Sequence, residues 1–257
     1  MLAFWPDVIR PLLETLAPQS IVEVGSESGK MTRCLLEIAG ATGGRVHAID
    51  PAPLFDVPAW QREAGKHLVF HRQPSLVALK QIEPLDCVLI DGDHNWYTVH
   101  SELQLIERRC ASLKQPLPLI LLHDIAWPYG RRDLYYDPDT IPAEHRQPWA
   151  KRGMSPTEAE LLSSGGINAH LCNAVREGGP RNGVLTAVQD YLAETEARYL
   201  FVRIPAVFGL AILLPEPLAQ RHPALAQQAK AWAVPEIERF IDRMEMARIA
   251  MLAGMGS

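Results

Sequence analysis

The sequence predicts an α/β protein: a doubly wound, mostly parallel sheet of seven strands whose last strand is antiparallel. Three observations carry this. Strand-like and helix-like segments alternate from residue 20 to residue 124. The strands are runs of Val, Ile and Leu, the pattern of strands covered by helices on both faces. Four of them end in acids or histidine: Glu23-Val24-Gly25, Asp50-Pro51, Asp91-Gly92-Asp93-His94 and His123-Asp124. In open sheets of this kind ligands sit at the carboxyl ends of the strands, near the topological switch point.

Composition sets the outer limits. The chain has 257 residues, 47% hydrophobic and 21% charged, with a formal charge of −5. That is an ordinary soluble composition with a sizeable core, and no basic footprint points to nucleic acid or an anionic membrane. Cys34, Cys87, Cys110 and Cys172 are scattered without a C-x-x-C pair, so reduced thiols in a cytoplasmic protein are expected. The opening MLAFWPDVIRPLLETL carries Asp7 and Arg10 within its apolar stretch and does not read as a signal peptide. The apolar run Ile204 to Leu214 is broken by Pro205 and Gly209 and falls short of the ~20 residues a membrane span needs.

Each element follows from its spacing. Phe4, Val8, Leu12 and Leu16 recur at helical spacing and predict a helix over 2–16. A strand at 20–24 runs into Gly25, and Met31, Cys34, Leu35 and Ile38 form the stripe of a helix over 30–39. Strands are expected at 45–50, 67–71, 86–91 and 118–122, with helices from about Ser75 and over 97–110. From Ile125 to Asn182 the alternation stops, and six of the 21 prolines and six of the 17 glycines fall there. Long irregular segments in compact domains are usually functional, so 125–182 is read as a lid or substrate-binding insertion, with a short helix around Thr157 to Leu162. A helix over 183–195 restores regularity. Segments 199–204 and 207–214 read as two strands of an antiparallel hairpin. A helical tail over 224–257 places Ile237, Phe240, Ile241 and Met244 on one face, read as core before partner surface, with homodimer packing as the other use. The whole is one elaborated domain.

The turn Val22-Glu23-Val24-Gly25-Ser26-Glu27-Ser28-Gly29-Lys30 joins the first strand to its helix. As a phosphate-binding G-x-x-x-x-G-K-[ST] loop it is one residue short, with Met31 in place of the hydroxyl. As a dinucleotide G-x-G-x-x-G turn it lacks the middle glycine, because Glu27 stands there. It fits E-x-G-x-x-x-G without exception, and in this it resembles the first motif of the class I S-adenosylmethionine-dependent methyltransferases. Glu23, Gly25 and Gly29 match that motif. Asp50 matches the family's second motif, an acid at the end of the next strand that accepts from both ribose hydroxyls. The resemblance runs from roughly residue 18 to 214 and implies a Rossmann-like methyltransferase fold with S-adenosylmethionine as cofactor. It places Ser26, Pro51, Ser75 and Asp91 with Glu23, Gly25, Gly29 and Asp50 as cofactor-binding residues.

Within that family Ile90-Asp91-Gly92-Asp93-His94 and Leu122-His123-Asp124 look most like the small-molecule and sugar O-methyltransferases. Relatives there modify antibiotics, rhamnosyl groups and macrolide sugars. The acceptor implied is a hydroxylated small molecule or glycan. Some members hold magnesium through an acid of the D-G-D segment and an acidic pair after the next strand. Here His123 stands at the first position of that pair, leaving Asp91 and Asp124 as the metal candidates, joined by one or both of Asp93 and His94.

Methyl transfer to a hydroxyl needs alignment, exclusion of water and removal of a proton. Histidine is suited to the last near neutral pH. The catalytic candidates are Asp93, His94 and His123; each also has a structural reading, Asp93 as a turn-forming or helix-capping acid and His94 as its neighbour. In the insertion, Tyr129-Gly130-Arg131-Arg132-Asp133-Leu134-Tyr135-Tyr136 suits stacking on sugar or ring faces and binding acidic groups. A different class remains open, a methyltransferase fold that binds without catalysing. So does a nucleotide-binding enzyme of another doubly wound family.

Overall fold

The protein was analysed as a computed structural model that describes residues 1–255. The chain opens with a 3-10 turn, Leu2–Phe4, a π turn, Trp5–Ile9, and helix α1, Arg10–Leu16. The single helix expected over 2–16 is thus divided. Proline supplies the reason: Pro11 has no N–H to return to Asp7, and the ladder is carried instead by Arg10 N–H on the carbonyl of Trp5.

Alternation then proceeds much as the sequence predicts. β1 (Ser20–Val24), α2 (Lys30–Thr42), β2 (Arg45–Ile49), α3 (Val57–Ala64) and β3 (Leu68–His71) lead to α4 (Ser75–Ala78), a single turn. β4 (Cys87–Ile90), α5 (Trp96–Leu113) and β5 (Leu119–His123) follow. The Asp56 carboxylate accepts from Ala59 N–H at the start of α3, and the Asn95 side chain does the same for Thr98 N–H at the start of α5.

The insertion contributes β6 (Leu134–Tyr135), β7 (Trp149–Lys151) and β8 (Cys172–Ala174), a small antiparallel sheet of order β6-β8-β7. No helix forms around Thr157 to Leu162. Leu161 N–H, which a helix would return to Thr157 O, donates instead to Val175 O. Arg132 holds Ala159 O, and Arg152 holds Leu161 O and Leu162 O, in the irregular path. The insertion has its own core of Tyr129, Leu134, Met154 and Leu161.

It is tied to the rest by Asp133, which accepts from Trp96 N–H at 2.7 Å, from Gly183 N–H at 2.6 Å and from the Tyr135 hydroxyl at 2.8 Å. Those donors sit at the head of α5, just before α6 (Val184–Glu194), and on β6.

β9 (Tyr199–Ile204) and β10 (Leu210–Pro215) form the expected antiparallel hairpin, and α7 (Glu216–Arg221), α8 (Pro223–Lys230) and α9 (Pro235–Met255) close the chain. β10 begins three residues later than predicted, because Val207, Phe208 and Gly209 take φ of 46°, 69° and 92° and cannot lie in a strand. The helical tail expected over 224–257 is seen to residue 255; residues 256 and 257 lie outside the described residues. α9 is rotated from the expectation. Of the four residues expected on one buried face, Ile237, Phe240 and Met244 are exposed and Ile241 is half-buried, on the side of the buried Glu245 and Ile249. Among the described residues no helix is long and apolar enough to cross a membrane.

The main sheet has the order β3-β2-β1-β4-β5-β10-β9. The first five strands in that order are parallel, and β10 runs antiparallel to β5 and to β9. On one face Leu12, Leu13, Leu35, Ile38 and Leu225 pack against Ile21, Leu89, Leu121 and Ile212. On the other, Val99, Leu103, Ile106, Val188 and Tyr191 pack against Val22, Val88, Ile120 and Ala211. Both faces are dry, which is why the strands read as unbroken apolar runs. Strand order reverses between β1 and β4, so the crevice opens at Gly25 and Asp91.

Candidate active site

The turn after β1 is held across the sheet edge, with Gly25 N–H donating to Ile49 O at 2.9 Å. Gly25 has φ of 87°, and a Cβ there would lie 2.2 Å from the carbonyl oxygen of Asp91. Only glycine can cross the end of β4 so closely. Gly29, φ 76°, precedes α2 and lies against the Trp60 ring. Beneath the turn the Glu23 carboxyl is buried, and Thr32 Oγ1 donates to its Oε2 at 2.6 Å. Burial pushes its pKa up to about 8. Its Oε1 and the neighbouring Ser26 Oγ are buried without any hydrogen-bond partner.

Asp50 closes the turn from the next strand. Its Oδ2 accepts from Ser26 N–H at 3.1 Å and Glu27 N–H at 2.8 Å, and its Oδ1 accepts from Ala52 N–H at 2.8 Å. A carboxylate offers about four acceptor sites, so Asp50 fastens the turn and keeps limited capacity for a ligand diol. Pro51 follows it, exposed. Ser75, the first residue of α4, lies beside Glu102, a fully buried carboxyl that burial raises to about 8.

At the ends of β4 and β5 the structure brings Asp91, His94, His123 and Asp124 together. His123 Nδ1 lies 2.8 Å from Asp124 Oδ2 and 3.1 Å from Asp91 Oδ1, while its Nε2 meets the carbonyl of Val207 at 3.0 Å. His94 Nε2 lies 2.8 Å from Asp124 Oδ2, at ion-pair distance but without hydrogen-bond alignment, and its Nδ1 lies 3.3 Å from the Tyr136 hydroxyl. Asp124 itself has φ of 60°, an uncommon conformation for a residue with a side chain and one that clusters at functional sites.

Burial alone would favour neutral imidazoles and neutral carboxyls here, but the mutual contacts overcome it. Asp124 and Asp91 hold His123 at about 9 and His94 well above the ordinary histidine range. The imidazoles in turn keep Asp91 and Asp124 below the usual carboxylate range. The other oxygen of Asp91 contacts the Met1 ammonium at 2.9 Å. Asp93 is not part of this cluster: its Oδ2 accepts from Thr98 Oγ1 at 3.1 Å, the helix-start task already considered for it.

Several contributing residues are invisible to motif reasoning. Val207, which supplies the carbonyl to His123, and Glu245, whose Oε1 accepts from Phe208 N–H at 2.8 Å, come from distant sequence. Glu102 did leave a signal, an acid inside the apolar stripe of Val99, Leu103, Ile106 and Cys110. The aromatic-arginine segment divides. Tyr136 reaches His94, whereas Arg132 is fully buried and donates to Ala174 O and Ala159 O, and so serves the insertion's own backbone.

Comparison with known proteins adds a family match. The model described as a methyltransferase domain matches residues 22–125, the stretch from β1 through the His123-Asp124 pair. Among solved structures the chain is similar to an S-adenosylhomocysteine-bound methyltransferase of Podospora anserina, at 18% identity over 79% of this chain and 76% of that one, TM-score 0.48. It is also similar to the 1,6-didemethyltoxoflavin N1-methyltransferase of Burkholderia thailandensis, at 16% identity over 82% and 79%, TM-score 0.41. No curated protein matches the chain.

Proposed function

We propose that the protein is an S-adenosylmethionine-dependent methyltransferase acting on a hydroxyl of a small molecule or sugar. The observation that carries this reading is the turn at 23–29, whose two buried orphan oxygens, Glu23 Oε1 and Ser26 Oγ, lie within the stretch matched by the methyltransferase-domain model. Buried polar atoms without partners are rare in native proteins. Two unpaired oxygens beneath a glycine turn suit the amino-acid portion of the cofactor, whose ammonium would take the place of the proton that burial keeps on Glu23. Glu23, Gly25, Ser26, Gly29 and Asp50 would hold it. When bound, the cofactor supplies a methyl group on a positively charged sulfur.

The chain's own residues then have to place a hydroxyl and take its proton. His123 is poorly suited, because both of its ring nitrogens are already engaged. His94 is better placed. Its Nε2 rests on Asp124, and its Nδ1 points to the position of the Tyr136 hydroxyl. Asp124 holds His94 well above the ordinary histidine range, so the ring serves as base in the form that has lost its Nδ1 proton. An acceptor hydroxyl at that position would pass its proton to Nδ1, the imidazolium re-formed would be held by Asp124, and the rate would rise with pH. Tyr136 is 58% exposed, so this side of the imidazole borders the outside. The magnesium implied by the resemblance does not fit the residues present: a hard ion that takes oxygen ligands would meet an imidazole nitrogen at His123, and no step is assigned to it.

Calorimetry tests the cofactor. Saturable binding of S-adenosylmethionine or S-adenosylhomocysteine is expected, weakened at least tenfold in Asp50→Ala; no binding by the wild-type chain would refute the reading. Binding without methyl transfer to any hydroxylated acceptor would assign the fold a binding role instead.

A further inference from the structure

We propose that the exposed apolar stripe of α9 is a docking surface for a second copy of this chain, the two α9 helices pairing antiparallel across a two-fold axis. The pairing does not depend on the methyltransferase reading, because it uses no residue of the sheet edge.

Contact with the domain occupies one side of α9. Glu245 and Ile249 are buried there, and Ile241 and Arg248 are half-buried beside them. On the neighbouring side Ile237, Phe240, Met244, Ala247 and Met251 follow one another at spacings of three, four, three and four residues. All are exposed, the four large ones by 49–66%. That spacing keeps them in one narrow stripe, and a strict repeat of about 3.5 residues is the pattern of a seam between two helices. The helix needs no ordering on association: Glu245, bonded to Phe208 N–H and clasped by Arg248, already fixes it to the domain.

A helix of the same sequence fits the stripe. Antiparallel, Phe240 meets Met251 of the second copy and Met244 meets its Ala247, so each large residue faces a smaller or more pliant one. Charge chooses the direction. In a parallel pair Arg243 of each copy would face Arg248 of the other, a like-charge contact on both flanks of the seam. In the antiparallel pair Arg243 lies beside Ala250 and Arg248 beside Ile241. The outer side of the helix carries Glu236, Arg239 and Asp242, charges of both signs, unlike the Lys- and Arg-rich polar face of a helix that lies on a membrane. Each large residue exposes about half of its ~200 Å². With Ala247 and the flanking stems, that is on the order of 500 Å² per chain and ~1,000 Å² for the pair, where specific interfaces begin. An interface of that size gives a dissociable dimer, with a dissociation constant roughly in the micromolar range.

Sedimentation of the full chain tests the pairing. The mass should rise from 28.6 kDa toward twice that value as concentration passes through the micromolar range. Below that range the chain is a folded monomer. Phe240→Ser and Met244→Glu should each raise the dissociation constant by about tenfold or more, with circular-dichroism melts of the dilute variants matching wild type. Phe240→Cys and Met251→Cys chains mixed under mild oxidation should join through a disulfide, whereas Phe240→Cys alone should not. A wild-type chain that stays monomeric up to about 100 µM, or a dimer unchanged in both folded variants, would overturn the proposal. Preferential cross-linking of Phe240→Cys to itself would overturn the antiparallel arrangement. Uptake of the monomer by phosphatidylcholine–phosphatidylserine vesicles, without dimer formation, would assign the stripe to a membrane and likewise overturn it.

Discussion

His94 and His123 differ in what their second ring nitrogen touches, and this separates their roles. His123 gives Nε2 to Val207 O and is enclosed, 8% exposed in its side chain. His94 turns Nδ1 toward Tyr136. His94→Gln keeps a polar side chain but cannot take a proton, so kcat should fall by about 10²–10⁴, the usual weight of general-base catalysis. The KM for S-adenosylmethionine should stay nearly unchanged. Steady-state kinetics with a methyl-accepting hydroxyl compound would check this, and a kcat within threefold of wild type would remove His94 as the base. Asp93 and His94 are adjacent and equally suggestive as letters; the hydrogen bond from Thr98 to Asp93 and the contacts of His94 with Asp124 and Tyr136 divide them.

Among the elements, α9 is the one whose position matters beyond its own stability. Its buried Glu245 accepts from Phe208 N–H at 2.8 Å and is clasped by Arg248 at 2.8 and 2.6 Å. Phe208 belongs to the left-handed segment 207–209, and Val207 of that segment presents its carbonyl to His123. A β-branched residue at positive φ is strained and persists only where its surroundings hold it. Glu245→Ala removes the acceptor for Phe208 N–H and should cost about 1–3 kcal/mol, read as a lower urea midpoint. Phe240→Ser, on the exposed face of the same helix, should change stability by no more than about 0.5 kcal/mol. Equal effects of the two would show that Glu245 does not hold the segment. The apolar spacing of α9 was legible in the sequence, but its burial was assigned to the wrong side. Periodicity reports that a stripe exists and not which neighbour reaches it, and here the buried side is the one whose acid pairs with a loop amide. In the insertion, Thr157 to Leu162 was misread for a related reason: Leu161 N–H donates to Val175 O, a partner distant in sequence, and not to the carbonyl a helix would offer.

For the molecule as a whole, three buried carboxyls set the response to pH together with His94 and His123. The edge carboxylates hold both imidazoles above the ordinary histidine range, and the stabilising contribution of these two histidines is lost as pH rises above ~6.5. Burial raises Glu23 and Glu102 to about 8 and Asp133 to about 6, whereas unfolded carboxyls titrate near ~4. The folded chain therefore keeps protons that the unfolded chain has released. Their stabilising effect is complete below the unfolded values and is lost as pH rises through 6 and then 8. His47 works in the opposite sense, since burial lowers it to about 4, but its contribution changes only below ~6.5. Between pH 6.5 and 8.5 the melting temperature should fall by roughly 4 °C or more, given about 2–4 °C per kcal/mol at this size. Glu102→Gln, which mimics the protonated form, should flatten that slope. Calorimetric scans across the range would decide it, and a rising or level melting temperature would refute the assignment of the buried acids.

The sequence by itself determined the sheet and the edge where its acids and histidines gather. Apolar strands, their alternation with helices, and the acids and histidines at strand ends are local patterns, and each registers in consecutive residues. It also determined that the chain turns tightly at Gly25 and Gly29, because a missing side chain is visible in the letters. The tertiary structure alone decided how those groups are used. Asp50 is committed to backbone amides, Asp93 to a helix start, and His123 to a carbonyl 84 positions away. Such partners are fixed by distance in space and by which lone pairs remain free, and neither quantity is written along the chain.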